Sequence, residues 1–403
     1  MEEEDSSEQR VPLYAKSESQ DEQYSPKQLS ATFFLLGLGT LLPWNALLSS
    51  LDFYTSLHKD APVAQYITNS YSGPLMISGL LSLTSYMSFE TIQSILICFG
   101  LLSVVTLAVP CIADSLAATA IATVLIGLVG GLLQSVLYGL VNYFPGGTVT
   151  SAFNSGAGAA SVLIVSLRIV TRLATGDGDD VEALLPGFRV FFAVCTFLCI
   201  ACLVSFHRLT RRPEYAAVPR YSNVHLAAAY DTLHDIAKPA ACLLFCFQGT
   251  MLLFPGIFTR IPVQLDKTHL GSIRTWFPLI VVALFALGDT TGRAFFSSAL
   301  VLRYPQSLLI FSIARVAVLP IHILQWIGVI SLNTTSAFGT VFFHGFINGF
   351  IMNMAFVSAP DHTSEEMREN AGRLMFAMLI CGLFLGSASG WILDEVLKSF
   401  SLY

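Results

Sequence analysis

Asp289, Arg293 and Arg315 are the charged residues that stand well inside long apolar stretches of this chain. A charge at the centre of a bilayer costs about 2.5–3.5 kcal/mol on insertion scales, so such residues persist where they are paired or face water. Asp289 and Arg293 lie four apart, which places them on one face of a helix. A carboxylate acceptor beside a forked guanidinium donor suits the hydroxyls of a polar solute. The plainer reading is an ion pair that only fixes helix packing. Apolar residues can replace a purely structural pair at little cost, which favours the solute-binding reading. Arg315 has three readings: contact with the solute, bonds to a neighbouring helix's carbonyls, or closure of a gate.

Neutral groups add to this set. Gln134 places an amide, donor and acceptor together, in the middle of a charge-free span. Its alternative is an interhelical hydrogen bond, worth about 0.6 kcal/mol on average in membranes. Tyr138, one turn on, reads as packing. Leu41, Trp44 and Leu48 form one stripe, which is either packing or a flat apolar slot for a ring. His344, Asn348 and Met352 share a helical face. His344 has the residue type of a proton acceptor, although a satisfied core histidine is the better reading.

The elements that must position these groups are legible in the composition. Of 403 residues, 54% are apolar and only 12% are charged, and the mean hydropathy is +0.66. Soluble proteins carry roughly a quarter charged residues. Runs such as 61–89, 91–113, 115–167 and 316–360 contain no Asp, Glu, Lys or Arg, and about 20 apolar residues cross a bilayer. This excludes a soluble enzyme, and a nucleic-acid binder would need clustered basic residues. The chain is an all-α polytopic membrane protein. Breaks at charges, Pro and Gly predict eleven transmembrane helices, over 29–52, 63–88, 91–113, 116–143, 148–173, 186–207, 237–260, 274–300, 304–328, 334–359 and 370–397. The domain reading is a six-helix bundle over 29–207, a linker over 208–236 and a five-helix bundle over 237–403.

Residues 1–28 carry eight acids against Arg10, Lys16 and Lys27, with no apolar periodicity, and read as a disordered acidic cytoplasmic tail. Arg208, Arg211, Arg212 and Arg220 cluster in the central linker, so the positive-inside rule puts the N-terminus in the cytoplasm. Eleven spans then put the C-terminus outside. All eight cysteines fall in or at the ends of apolar spans and read as small apolar side chains, with no metal site. Asn333-Thr334-Thr335 is a glycosylation triplet in a loop too short and too close to the bilayer to be used.

The first span contains Gly37-Leu38-Gly39-Thr40-Leu41-Leu42-Pro43-Trp44-Asn45, which closely resembles the first-helix signature of the equilibrative nucleoside transporters (solute carrier family 29 type). Further matches follow in order: Gly130-Gly131-Leu132-Leu133-Gln134 with Tyr138-Gly139, then Asn154-Ser155-Gly156-Ala157-Gly158, then Phe254-Pro255. Asp289-Thr290-Thr291-Gly292-Arg293, Arg315 with Pro320, Asn348-Gly349-Phe350 with Ala359-Pro360, and Gly382 to Gly390 complete the series. Together they cover nearly the whole membrane region.

The resemblance implies a major-facilitator-like fold of 6+5 bundles and facilitative transport of nucleosides such as adenosine, sometimes nucleobases, by alternating access. It implies that Asp289 and Arg293 bond ribose hydroxyls, that Gln134 reads the base, and that Leu41, Trp44 and Leu48 line the cavity beneath an outer gate. Asn45, Tyr138, Arg315, His344 and Asn348 are implied as gate or supporting residues. A nucleoside substrate and the lipid bilayer are the implied partners, with no nucleic acid, no cofactor and a monomeric, plasma-membrane state. Two positions depart from the family pattern: Ala286 where an Asn often stands, and Ala157 where a Gln is found. Both remove polar groups. The competing readings are a proton-coupled symporter using Asp289 or His344 and an organic-anion carrier, in which two arginines outnumber one aspartate. A carboxylate beside Arg293 should stay ionised, which argues against Asp289 as the proton carrier. A receptor or intramembrane enzyme is disfavoured, because no second helix pairs an aspartate with Gly288-Asp289.

Overall fold

The computed structural model describes residues 26–58, 61, 63–84, 90–144, 147–175, 181–211, 226–254, 258, 271–295, 305–327, 329–330 and 334–399. The tail up to residue 25, linker residues 212–225 and Asn333 lie outside the described residues. Lipid offers no water to bond backbone N–H and C=O groups, so an apolar run of this kind satisfies them internally as helix. The helices are α1 (Pro26–Ser49), α2 (Leu51–Leu57), α3 (Val63–Leu81), α4 (Thr91–Ile112), α5 (Leu116–Tyr143), α6 (Thr148–Thr175) and α7 (Val181–Thr210). They continue with α8 (Leu226–Asp235), α9 (Ala237–Leu253), α10 (Gly271–Phe295), α11 (Pro305–Trp326), α12 (Thr334–Ser358) and α13 (Arg368–Ser399).

Setting aside the short α2 and α8, the helices follow the expected spans in order. Seven helices among the described residues are long and apolar enough to cross a membrane, and α8 with α9 adds an eighth if that bent pair is one span. The expected linker is shorter than 208–236. Its last part is helix α8, which meets α9 at an 82° bend and packs against α13.

Helices α1 to α7 pack chiefly on one another, as do α9 to α13, and the two groups meet through α6 with α10 and α12, and α13 with α3 and α5. Close approach is built from glycine. On α10 and α12, a Cβ at Gly288 would strike the Phe342 carbonyl, one at Gly292 the Phe346 carbonyl, and one at Gly349 the Asp289 carbonyl. These small-x-x-x-small pairs let two backbones touch. Gly382 and Gly386 of α13 do the same against the α9 carbonyls of Leu244 and Gln248. Gly156 packs on Phe34 of α1, whereas Gly158 leaves room for the Arg293 side chain. Between α5 and α6, Gly147 adopts φ +66°, a left-handed conformation that favours glycine, and abuts Val357.

The end of the molecule where α1 begins is called the near end below, and the end where α1 finishes the far end. The larger apolar core runs through the first bundle and, at the near end, into α12 and α13. At the far end a separate cluster of Leu253, Phe254, Phe258, Phe277, Val281, Ala337 and Val341 belongs to the second bundle, with Leu48 packed against it.

Candidate functional site

Asp289 and Arg293, one turn apart on α10, are 3% and 5% exposed and form an ion pair. Arg293 Nε donates to Asp289 Oδ2 at 2.8 Å and Nη2 lies 2.7 Å from the same oxygen. The other carboxylate oxygen, Oδ1, accepts from Asn348 Nδ2 of α12 at 2.7 Å. Arg293 Nη1 crosses to the first bundle and donates to the Asn154 carbonyl of α6 at 3.2 Å.

Arg315 enters this network from behind. Its Nη1 donates to Asn348 Oδ1 at 3.1 Å and to the Cys246 carbonyl at 3.3 Å, and Nη2 donates to Thr250 Oγ1 at 2.6 Å. Thr250 in turn donates to Asn348 Oδ1 at 2.7 Å. Asn348 thus joins the two charges, its amide nitrogen on the carboxylate and its oxygen toward the guanidinium. Arg315 Nη2 also lies 2.7 Å from His344 Nε2. A guanidinium has no acceptor, so Nε2 must accept, and His344 is a neutral ring with its proton on Nδ1. Arg315 thus bonds groups of two adjoining helices and ties α11 to α9 and α12.

A partly open cavity lies beside this network. Trp44, Asn45 and Leu48 of α1 with Ser161 and Val165 of α6 form one wall; Phe285, Ala286, Asp289 and Arg293 of α10 with Asn348 form the facing wall. Phe247, Thr250, Met251 and Phe254 of α9 complete it. Trp44 is backed by Tyr71, the rings stacked 4.0 Å apart at 10°. Across the cavity Phe254 and Phe285 stack at 4.1 Å. The site therefore offers aromatic surfaces flanking a small set of polar groups, the usual make-up of a small-molecule pocket.

Of the residues singled out in the sequence, Trp44, Asn45, Leu48, Asp289, Arg293 and Asn348 come together on this cavity. Leu41 packs instead into the larger core. Gln134 turns back on its own helix, donating to the Gly130 carbonyl at 3.3 Å. Arg315 and His344 stand one layer behind Asn348 and Thr250. Tyr138 lies at the near end, stacked 4.1 Å from Phe356 with its hydroxyl donating to Asn154 Oδ1 at 3.1 Å. Sequence reasoning missed Asn154 and Asn353, which bond each other across the bundles at 3.2 Å, and Asn353 also donates to the Arg293 carbonyl at 2.9 Å. It also missed Ser161. For Asn154 the signal was present within a quoted motif but carried no role.

A model of the nucleoside transporter family matches residues 218–395, a segment that contains Asp289, Arg293, Arg315 and Asn348. Equilibrative nucleotide transporter 8 of Arabidopsis thaliana is 24% identical over 381 residues, spanning 89% of this chain and 93% of that protein. Equilibrative nucleoside transporter 1 of Homo sapiens is 23% identical, spanning 90% of this chain and 96% of its own length. Among solved structures, the proton:xylose symporter XylE superposes with a TM-score of 0.64 at 13% identity, covering 94% of this chain and 90% of that one. The nucleoside transporter NupG gives 0.54 at 12% identity, covering 91% and 92%. The structural likenesses establish a major facilitator fold. The sequence likenesses span 89% and 90% of this chain, and the matched family model covers residues 218–395 of it, so the chain is similar to nucleoside and nucleotide transporters through both bundles.

Proposed function

We propose that this protein is a facilitative nucleoside carrier whose bundles, 29–207 and 237–403, rock about the cavity by alternating access. The observation that carries this reading is the Asp289–Arg293–Asn348 group on a cavity wall that faces Trp44. Asp289 Oδ2 already accepts two bonds and Oδ1 only one, so Oδ1 retains a free lone pair. Arg293 retains N–H donors beyond those used on Asp289 and Asn154. One open acceptor beside open donors fits a vicinal diol, with one hydroxyl donating and its neighbour accepting, as in ribose. The aromatic surface of Trp44 across the cavity suits the base.

In this reading the N-terminus and the near end are cytoplasmic, the C-terminus is extracellular, and the protein acts as a monomer in the plasma membrane. Basic residues of the central linker support that orientation. His344 already accepts from Arg315 and Asp289 is held by Arg293, which supports passive flux over proton coupling.

The test is radiolabelled adenosine uptake into liposomes containing the purified protein, with and without a pH gradient. Saturable uptake that equilibrates and ignores the gradient is expected. Uphill accumulation under a gradient would replace this reading with a proton-driven one. Asp289→Ala strands Arg293 without its counter-charge, so uptake should fall about a hundredfold or more. Unchanged flux in that variant would overturn the site.

A further inference from the structure

We infer that Asn45 and Ser161 form the subsite that reads the polar edge of the base, in place of Gln134. The inference rests on the nucleoside reading above and names where its base selectivity resides. Asn45 on α1 and Ser161 on α6 both line the cavity, and Asn45 Nδ2 donates to Ser161 Oγ at 3.1 Å. That bond uses one of the amide's two N–H groups and one lone pair of the hydroxyl. Among the described residues, Asn45 Oδ1 accepts no bond and the Ser161 hydroxyl proton has no protein acceptor. The pair therefore presents an acceptor and a donor side by side to the cavity. Turning the amide over, so that Ser161 donates to it, still leaves one donor and one acceptor facing inward.

The facing wall sharpens the assignment. Ala286 stands beside Asp289 with only a methyl group, so the base finds no polar partner at that position. Gln134 donates to the Gly130 carbonyl of its own helix and is not among the residues that line the cavity. Trp44, Asn45 and Ser161 line one cavity, and Tyr71 covers only one face of the indole, so a ring lying on the other face shares that cavity with the amide and the hydroxyl. Such a pair is complementary to the N–H and adjacent C=O of uracil or hypoxanthine. It is equally complementary to the amino group and ring nitrogen of adenine, because an amide with a rotatable hydroxyl supplies both polarities. The subsite accepts either class of base and rejects one whose edge donor is blocked.

Uptake of uridine and 3-methyluridine into proteoliposomes tests this, because their ratio within one variant is independent of how much protein folds. Wild type should prefer uridine by about tenfold or more, since the methyl group strands the Asn45 acceptor. In Asn45→Leu the ratio should fall to within about threefold of unity, and Ser161→Ala should fall part of the way. Equal uptake of both by wild type would overturn the subsite alone. So would a ratio that persists in Asn45→Leu and collapses in Gln134→Met. A wild-type protein that moves no nucleoside at all would overturn the transport reading and the subsite with it.

Discussion

The two ends of the bundle interface are built differently. At the near end Tyr138 of α5 stacks on Phe356 of α12 and lies 5.4 Å from Phe376 of α13, so an aromatic cluster spans the two bundles. Asn154 and Asn353 bond across the same interface, and Arg293 adds a donor to the Asn154 carbonyl. Arg373 of α13 also reaches the Ser82 carbonyl at the C-terminal end of α3 at 3.5 Å, a favourable site for a cation. At the far end a cross-bundle contact is Arg172 over the Trp276 ring at 4.8 Å, and the cavity takes up the space between the walls. Among the described residues, one end is closed by packed rings and hydrogen bonds, while the other is held by the cation–π pair, a Ser387–Asn69 hydrogen bond of 3.4 Å and Leu48 against the second bundle's apolar cluster. The conformation is closed at the near end, and the energies of the two ends decide how long it persists.

That asymmetry can be broken selectively. A cysteine at position 161 reports access to the cavity when labelled by an impermeant thiol reagent from the far side, measured against the same chain without it. Phe356→Ala should act most strongly. Truncating a buried Phe costs about 3–5 kcal/mol in soluble cores, and here the loss falls on the closed state, so far-side labelling should drop sharply. Asn154→Ala removes the bonds to Tyr138 and Asn353, about 2 kcal/mol in all, and should lower labelling less. Tyr138→Phe keeps the stack and loses one hydrogen bond, for a change of about fivefold or less. Trp276→Leu should act least. Its cation–π contact, worth about 0.5–1 kcal/mol, is made in this same conformation, so its loss should lower labelling only slightly. A drop with Trp276→Leu as large as that with Phe356→Ala would mean that the two ends are held equally.

Much of the architecture was legible because lipid forces it. Charge-free runs must be helices, and the punctuation by Pro, Gly and charge sets their ends, so α5 spans Leu116–Tyr143 as its sequence pattern predicts. Spacing also reveals which residues share a face, which is why Asp289 with Arg293 and His344 with Asn348 emerge as pairs. What spacing cannot give is how one helix is rotated against the next. Gln134 has the chemistry of a base reader, but its amide turns back to the Gly130 carbonyl. Ser161 lacks any local signature, and its role follows only from Asn45, 116 positions away. Arg315 had three readings, and spacing gave no hint of its contacts with Cys246, Thr250, His344 and Asn348.

The glycine contacts between α10 and α12 carry a consequence for the order of events in a transport cycle. Where Gly349 meets the Asp289 carbonyl and Gly292 meets that of Phe346, the two helices have no side-chain layer in which to slip. Asp289, Arg293 and Asn348 therefore travel as one plate. On the proposed rocking cycle, a solute held by that plate would keep its registration to the second bundle while the Trp44 wall arrives and departs. The grip on one half of the solute would then be constant from entry to exit, with release timed by the withdrawal of the other wall.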